Sequence, residues 1–202
     1  MARPRKHSDE ELLDAAREVF LAHGPAASTT LIADAVGLSQ AALFKRFGTK
    51  ELLMVRALLP PSRIGWVEAL EAGPRPGELP DQLVEIAVDA TRFFDRMMPC
   101  LMTLKAAGLD LAALVRSLPT PPPIRARRAA TAWFQAAMDQ GRMRPADAEA
   151  LAYTFIGSVQ SRSAMSHIFG EPVLTEPQRL AHARGVVDGL WHGLRPSPTE
   201  TP

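Results

Sequence analysis

Apolar residues recur at helical spacing along most of the chain, and no alternating run rich in β-branched side chains marks a strand. The pattern predicts an all-α protein. The first stripe, Leu12, Leu13, Ala16, Val19 and Phe20, lies on one face of a helix. Ser8 and Glu11 open that helix as a capping box, Asp9 to Glu11 place negative charge at its positive end, and Gly24 and Pro25 stop it. A second, shorter helix follows Ser28 as N-cap and carries Ile32 and Val36 one turn apart; Gly37 then supplies a turn, Ser39 caps a third helix and Thr49 begins a fourth.

From Pro60 the texture changes. The stretch PPSRIGWVEALEAGPRPGELP is dense in proline and glycine and reads as a joint between domains. Beyond it the spacing predicts helices over 81–98, 101–118, 122–141, 146–169 and 176–194, with the segment PTPPP at 119–123 separating two of them. The tail over 196–202 is expected to be disordered. No internal repeat is evident.

Composition narrows the class. Apolar residues make up 47% and charged ones 22%, the balance of a globular protein and not of a disordered chain. No apolar run approaches the roughly 20 residues that a bilayer span needs, and the start MARPRKHSDEELL lacks the apolar middle of a secretory signal, so a cytoplasmic protein without a membrane partner is expected. Cys100 is the single cysteine and can form no internal disulfide.

A formal net charge of +1 says nothing for or against a nucleic-acid partner; the arrangement of charge does. Residues 1–50 hold Arg3, Arg5, Lys6, Arg17, Lys45, Arg46 and Lys50 against Asp9, Glu10, Glu11, Asp14, Glu18 and Asp34. The acids cluster on the first helix and the cations in the arm or from Lys45 onward. On a helical wheel the third helix puts Leu43 and Phe47 on one face, suited to packing against Phe20, Ile32 and Val36. Ala41, Ala42 and Lys45 point away, with Gln40 and Phe44 on one flank and Arg46 on the other. A helix so clamped, with a slim cationic front, suits the roughly 12 Å wide major groove, where Gln40 can read an adenine edge and alanine methyls can touch thymine methyls. Lys50, at the start of the next helix, can share a phosphate with backbone N–H groups. The arm residues Arg3 and Arg5 suit a backbone or minor-groove contact, or a plain solvated face.

These residues resemble the DNA-binding domain of the tetracycline-repressor (TetR) family. The likeness runs over residues 8–54 and rests on the Ile32-Ala33 pair, the Val36-Gly37-Leu38-Ser39 turn, the Leu43-Phe44-x-x-Phe47 helix and Lys50-Glu51-Leu52. The resemblance implies a dimeric, ligand-responsive regulator that binds a double-stranded operator, usually as a repressor. It assigns 1–54 to an N-terminal helix-turn-helix three-helix domain and 55–80 to a linking helix and joint. Residues 81–195 become a helical domain for effector binding and dimerisation. It places Thr29 at a phosphate and Thr30 at a base, Gln40, Ala41, Ala42 and Arg46 on the recognition helix, and Lys50 at the family's phosphate lysine. Phe44 departs from the family's usual tyrosine and loses that hydroxyl's hydrogen bond, worth about 1 kcal/mol. Pro60-Pro61 departs from a long linking helix.

In the larger domain Phe93, Phe94, Met97, Met98, Met102, Trp133, Phe134 and Met138 gather the adaptable and aromatic side chains that suit a pocket for a small apolar molecule, although residues at such spacing are also ordinary core. Gly185, Gly189 and Gly193 share one face of the last helix, each costing about 1 kcal/mol relative to alanine. Close approach to another helix would offset that, and Val186, Leu190 and Trp191 add apolar surface, so this face is the expected homodimer contact, or else packing within one subunit.

Catalytic constellations are thin: Asp188 and His192 lie one turn apart without a third ligand, Cys100 sits in an apolar setting, and no phosphate loop of the GxxxxGK type occurs. No enzyme activity, cofactor or metal is expected. An all-α interaction module without DNA binding would show large apolar anchors on the outward face of the third helix, where this chain has Ala41, Ala42 and Lys45.

Overall fold

The computed structural model describes residues 8–192, and among them the chain is all-helical. The elements are α1 (Asp9–His23), α2 (Thr29–Ala35), α3 (Gln40–Phe47), α4 (Lys50–Leu58), α5 (Gly65–Glu71), α6 (Leu79–Ala106), α7 (Leu111–Ser117), α8 (Pro122–Asp139), α9 (Ala148–Phe169) and α10 (Glu176–His192). They form two compact units. One holds the residues up to Pro60 together with Pro99–Arg116; the other holds Pro61–Met98 and the residues from Ser117 onward.

In the first unit short polar side chains set the helix starts. The Ser8 hydroxyl accepts from the Glu11 N–H at 3.1 Å while the Glu11 carboxylate accepts from the Ser8 N–H at 2.8 Å, so two otherwise orphaned donors are satisfied reciprocally. Ser28, Ser39 and Thr49 cap α2, α3 and α4 by accepting from the N–H groups of Leu31, Ala42 and Leu52. Gly37 turns α2 into α3 at φ 66°, a left-handed conformation that disfavours any side chain. Leu12, Ala16, Phe20, Ile32, Leu43, Phe47, Leu53 and Leu58 are buried in this unit. Arg17 donates to the Ala57 carbonyl at 2.7 Å and so ties α1 to the end of α4.

The second unit is built around Trp133, Phe134 and Phe155, whose rings meet edge to face at 5.4 and 6.2 Å. Leu70, Leu83, Ala87, Val159, Ala183 and Val187 complete its core. One charged group is buried there with its partners: Arg179 of α10 donates to Asp95 of α6 at 2.6 Å, and Ser163 of α9 donates to the same carboxylate at 2.5 Å. A buried ion needs such matching, because an uncompensated charge in the interior is strongly destabilising.

Two elements differ from the expectation. The spacing predicts a helix ending at Met98 and another beginning at Leu101, yet α6 runs unbroken through Pro99 to Ala106. Proline removes one backbone hydrogen bond but its φ is compatible with the helix. The buried positions Ala90, Met97, Cys100 and Leu104 stay in helical register across it, so burial on one face outweighs the lost bond. The break comes instead at Gly108, with φ 81°. The second difference lies in the joint, where Trp66, Val67 and Leu70 are buried on one face of the short helix α5.

Candidate nucleic-acid interface

Helix α3 is amphipathic in a way that decides what it can touch. Leu43 and Phe47 are 0% and 3% exposed, while Gln40, Ala41, Ala42 and Lys45 are exposed and Phe44 is half-buried. Deep burial of the rear fixes the helix, and the alanines leave its front narrow.

Polar contacts sort the flanking residues. Gln40 opens α3, and its Nε2 donates to Thr30 Oγ1 of α2 at 2.5 Å. Arg46 turns back toward the start of α1, where its Nε donates to Asp9 Oδ1 at 2.5 Å. The second oxygen of Asp9 lies 3.5 Å from Arg56, and the Phe47 ring is flanked by the guanidinium groups of Arg46 and Arg56 at 5.8 and 5.1 Å from its centroid. Arg46 thus sits on the α1 side of the helix, and among the described residues Lys45 makes no salt bridge. Thr29 and Lys50 are both half-buried at helix starts, α2 and α4, where backbone N–H groups lack intrahelical partners. Arg3, Arg5 and Lys6 lie outside the described residues.

The arrangement leaves Thr30, Gln40, Ala41, Ala42 and Lys45 exposed, with the Gln40–Thr30 bond joining the starts of α3 and α2. It can offer an amide, methyl groups and one ammonium to a groove, and two helix starts to phosphates. The pairing of Arg46 with Asp9 is not legible in the sequence, because the two lie 37 positions apart.

The residues expected to hold a small molecule scatter more widely. Phe93 and Phe94 meet at 5.5 Å and both adjoin the Trp66 ring, at 6.2 and 5.7 Å. Phe134 is core, Met97 is buried, Met98 is half-buried, and Met102 is exposed and belongs to the first unit. Met138 is half-buried, its sulfur 3.1 Å from the Ala146 N–H. Trp133 lines a cleft of about 230 Å³ together with Ala69, Ile86, Arg75, Gln82 and Glu85. Two of these residues, Arg75 and Glu85, form an ion pair at 2.6 Å.

On α10, Gly185 and Gly189 are exposed, and a Cβ added at either would meet nothing within 4 Å. Among the described residues, the close approach expected of them does not occur. Val186, Leu190 and Trp191 are half-buried, the last two against the core of the second unit, and Gly193 lies outside the described residues. The last two long helices, which the family resemblance assigns to a four-helix dimer interface, carry an exposed apolar set on and between α9 and α10 whose residues sequence reasoning did not name: Tyr153 is 60% and Phe169 69% exposed, with Met165, Ile168, Val173 and Leu180 also exposed. Its signal is that α9 carries apolar residues around most of its circumference.

Other chemistry is sparse. Cys100 is buried, and burial pushes its thiol pKa up, which keeps it protonated at neutral pH. His192 lies with Nδ1 2.6 Å from the Asp188 backbone carbonyl. Among the described residues no group of three His, Cys, Asp or Glu is placed to hold a metal, and no single helix is long and apolar enough to cross a membrane.

Comparison with known proteins places both parts of the chain. The family of bacterial regulatory proteins named for tetR matches residues 12–57, and the C-terminal domain of AefR-like transcriptional repressors matches residues 82–190. No curated protein matches. Among solved structures, a regulator from Mesorhizobium loti superimposes with a TM-score of 0.74 at 16% identity, covering 93% of this chain and 99% of that one. A second, from Pseudomonas syringae pv. tomato, gives 0.64 at 16% identity, over 94% and 98% of the two chains. The flavonoid-responsive regulator FrrA gives 0.58 at 20% identity, over 93% and 96%.

Proposed function

This chain belongs to the TetR family of bacterial DNA-binding transcriptional regulators, and we propose that it is a homodimeric repressor released from its operator by a small apolar molecule. One observation carries the DNA contact: α3 is anchored by Leu43 and Phe47 and leaves Gln40, Ala41, Ala42 and Lys45 exposed. Two such helices, about 34 to 36 Å apart in a two-fold dimer, match successive major grooves of a pseudo-palindrome. Thr29 and Lys50 hold phosphates, and Arg3 and Arg5 reach the backbone or minor groove beside them.

Dimerisation through α9 and α10 is supported by the open Gly185 and Gly189 positions and by the exposed Phe169, Ile168 and Tyr153. The repressing sign is supported by the description of the C-terminal match as AefR-like repressors. The ligand class is supported by the partly buried Phe93, Phe94, Met98 and Met138 in the second unit and by the flavonoid response of a structural relative. Release occurs if the ligand binds more tightly to a dimer whose recognition helices are wrongly spaced, since its effect on the equilibrium equals that differential affinity. The test is fluorescence anisotropy with a duplex drawn from the DNA upstream of the protein's own gene, titrated with a flavonoid series. Tight binding at low salt, reversed by an added compound, is expected; indifference to every duplex overturns the DNA-binding reading, and binding that none of the compounds reverses overturns the ligand class.

A further inference from the structure

We infer that Thr30 is a positioning residue that holds the Gln40 amide edge-on for adenine; this rests on the DNA-binding reading above. Gln40 is the first residue of α3 and Thr30 the second of α2, both are exposed, and the Gln40 Nε2 donates to Thr30 Oγ1 at 2.5 Å. A primary amide carries two N–H donors and one carbonyl. The hydrogen anti to the carbonyl suffices for the threonine, which leaves the other N–H and Oε1 side by side on the free edge. Adenine presents the complement in the major groove, an N7 acceptor beside an N6 donor. Guanine presents two acceptors, N7 and O6, and the amide carbonyl would face O6 without a proton between them.

The threonine matters because the last torsion of a glutamine is broad and roughly two-fold, so an unheld amide presents either end. The tether fixes the amide before DNA arrives, and with Nε2 as the tethered end the adenine-matching edge is the one presented; a pre-oriented group loses less freedom on binding. Gln40 itself is exposed, Ala41 beside it is short, and Arg46 is engaged with Asp9 on the other flank of the helix. Thr30 therefore acts on the base through Gln40.

The experiment is selection from a randomised duplex library by the full-length protein and its variants, followed by equilibrium binding to the selected duplex and its single-base changes. Wild type should select an inverted repeat with one adenine per half-site that Gln40→Ala no longer distinguishes, at a loss of about ten- to a hundredfold in discrimination. Thr30→Val, which keeps the shape and removes the hydroxyl, should lose preference at that same position only, with the remaining positions and the salt dependence unchanged. Thr30→Ser should restore it, and Thr30→Val combined with Gln40→Ala should lose no more than Gln40→Ala alone. Guanine at the Gln40-dependent position, undiminished adenine preference in Thr30→Val, or a loss spread over the whole site would overturn the inference while leaving DNA binding intact. A wild-type protein that enriches no duplex would overturn the DNA-binding reading itself.

Discussion

At the scale of single residues the interface depends on which cations are free to meet phosphate. Lys50 stands half-buried at the first position of α4, behind the Thr49 cap, whereas Arg46 is exposed and pairs with Asp9. Lys50→Ala is therefore expected to lower the slope of log affinity against log salt by about 0.9 for each phosphate that the ammonium neutralises in wild type, measured by anisotropy on the selected duplex. An unchanged slope would mean that Lys50 neutralises no phosphate. What the sequence discloses at this scale is local. Leu43 and Phe47 announce their burial by spacing, and Ser8, Ser28, Ser39 and Thr49 announce caps that the structure shows. The Gln40–Thr30 and Arg46–Asp9 pairs stay hidden, because each joins residues on different helices whose mutual placement no periodicity encodes.

At the scale of elements, glycine and proline carry the information and are also where inference from spacing fails. Pro99 reads as a helix end, and α6 nevertheless continues through it at the position where the two units divide. An interior proline costs about 3 kcal/mol, so Pro99→Ala should raise the thermal midpoint by about 5 °C or more in calorimetry. A fall would mean that the ring packs better than the recovered hydrogen bond. Gly185 and Gly189 raise the opposite question, since among the described residues nothing requires them to be small. Gly189→Leu should therefore leave the subunit folded while shifting sedimentation from dimer to monomer; a persistent dimer would take this face of α10 out of the interface. Helix α5 was illegible because its single buried face of Trp66, Val67 and Leu70 lies within a stretch punctuated by Pro60, Pro61, Gly73 and Pro74.

At the scale of the whole molecule the all-helical architecture was legible from periodicity alone, and family membership is shown by matches that together span both parts of the chain. Which residues would line a pocket was not, since methionine and aromatic residues at helical spacing serve core and cavity alike. Phe134 is core, and Trp133 is 1% exposed while also lining a cleft. The central claim is that the slim exposed front of α3 enters the major groove. Ala41→Glu tests it most directly, because an exposed alanine can accept the longer side chain without disturbing Leu43 or Phe47, yet a carboxylate there meets the duplex. Equilibrium binding to the selected operator should weaken by about a hundredfold or more, toward the affinity for unrelated DNA, with dimerisation and thermal midpoint unchanged. Operator affinity equal to wild type would contradict the account.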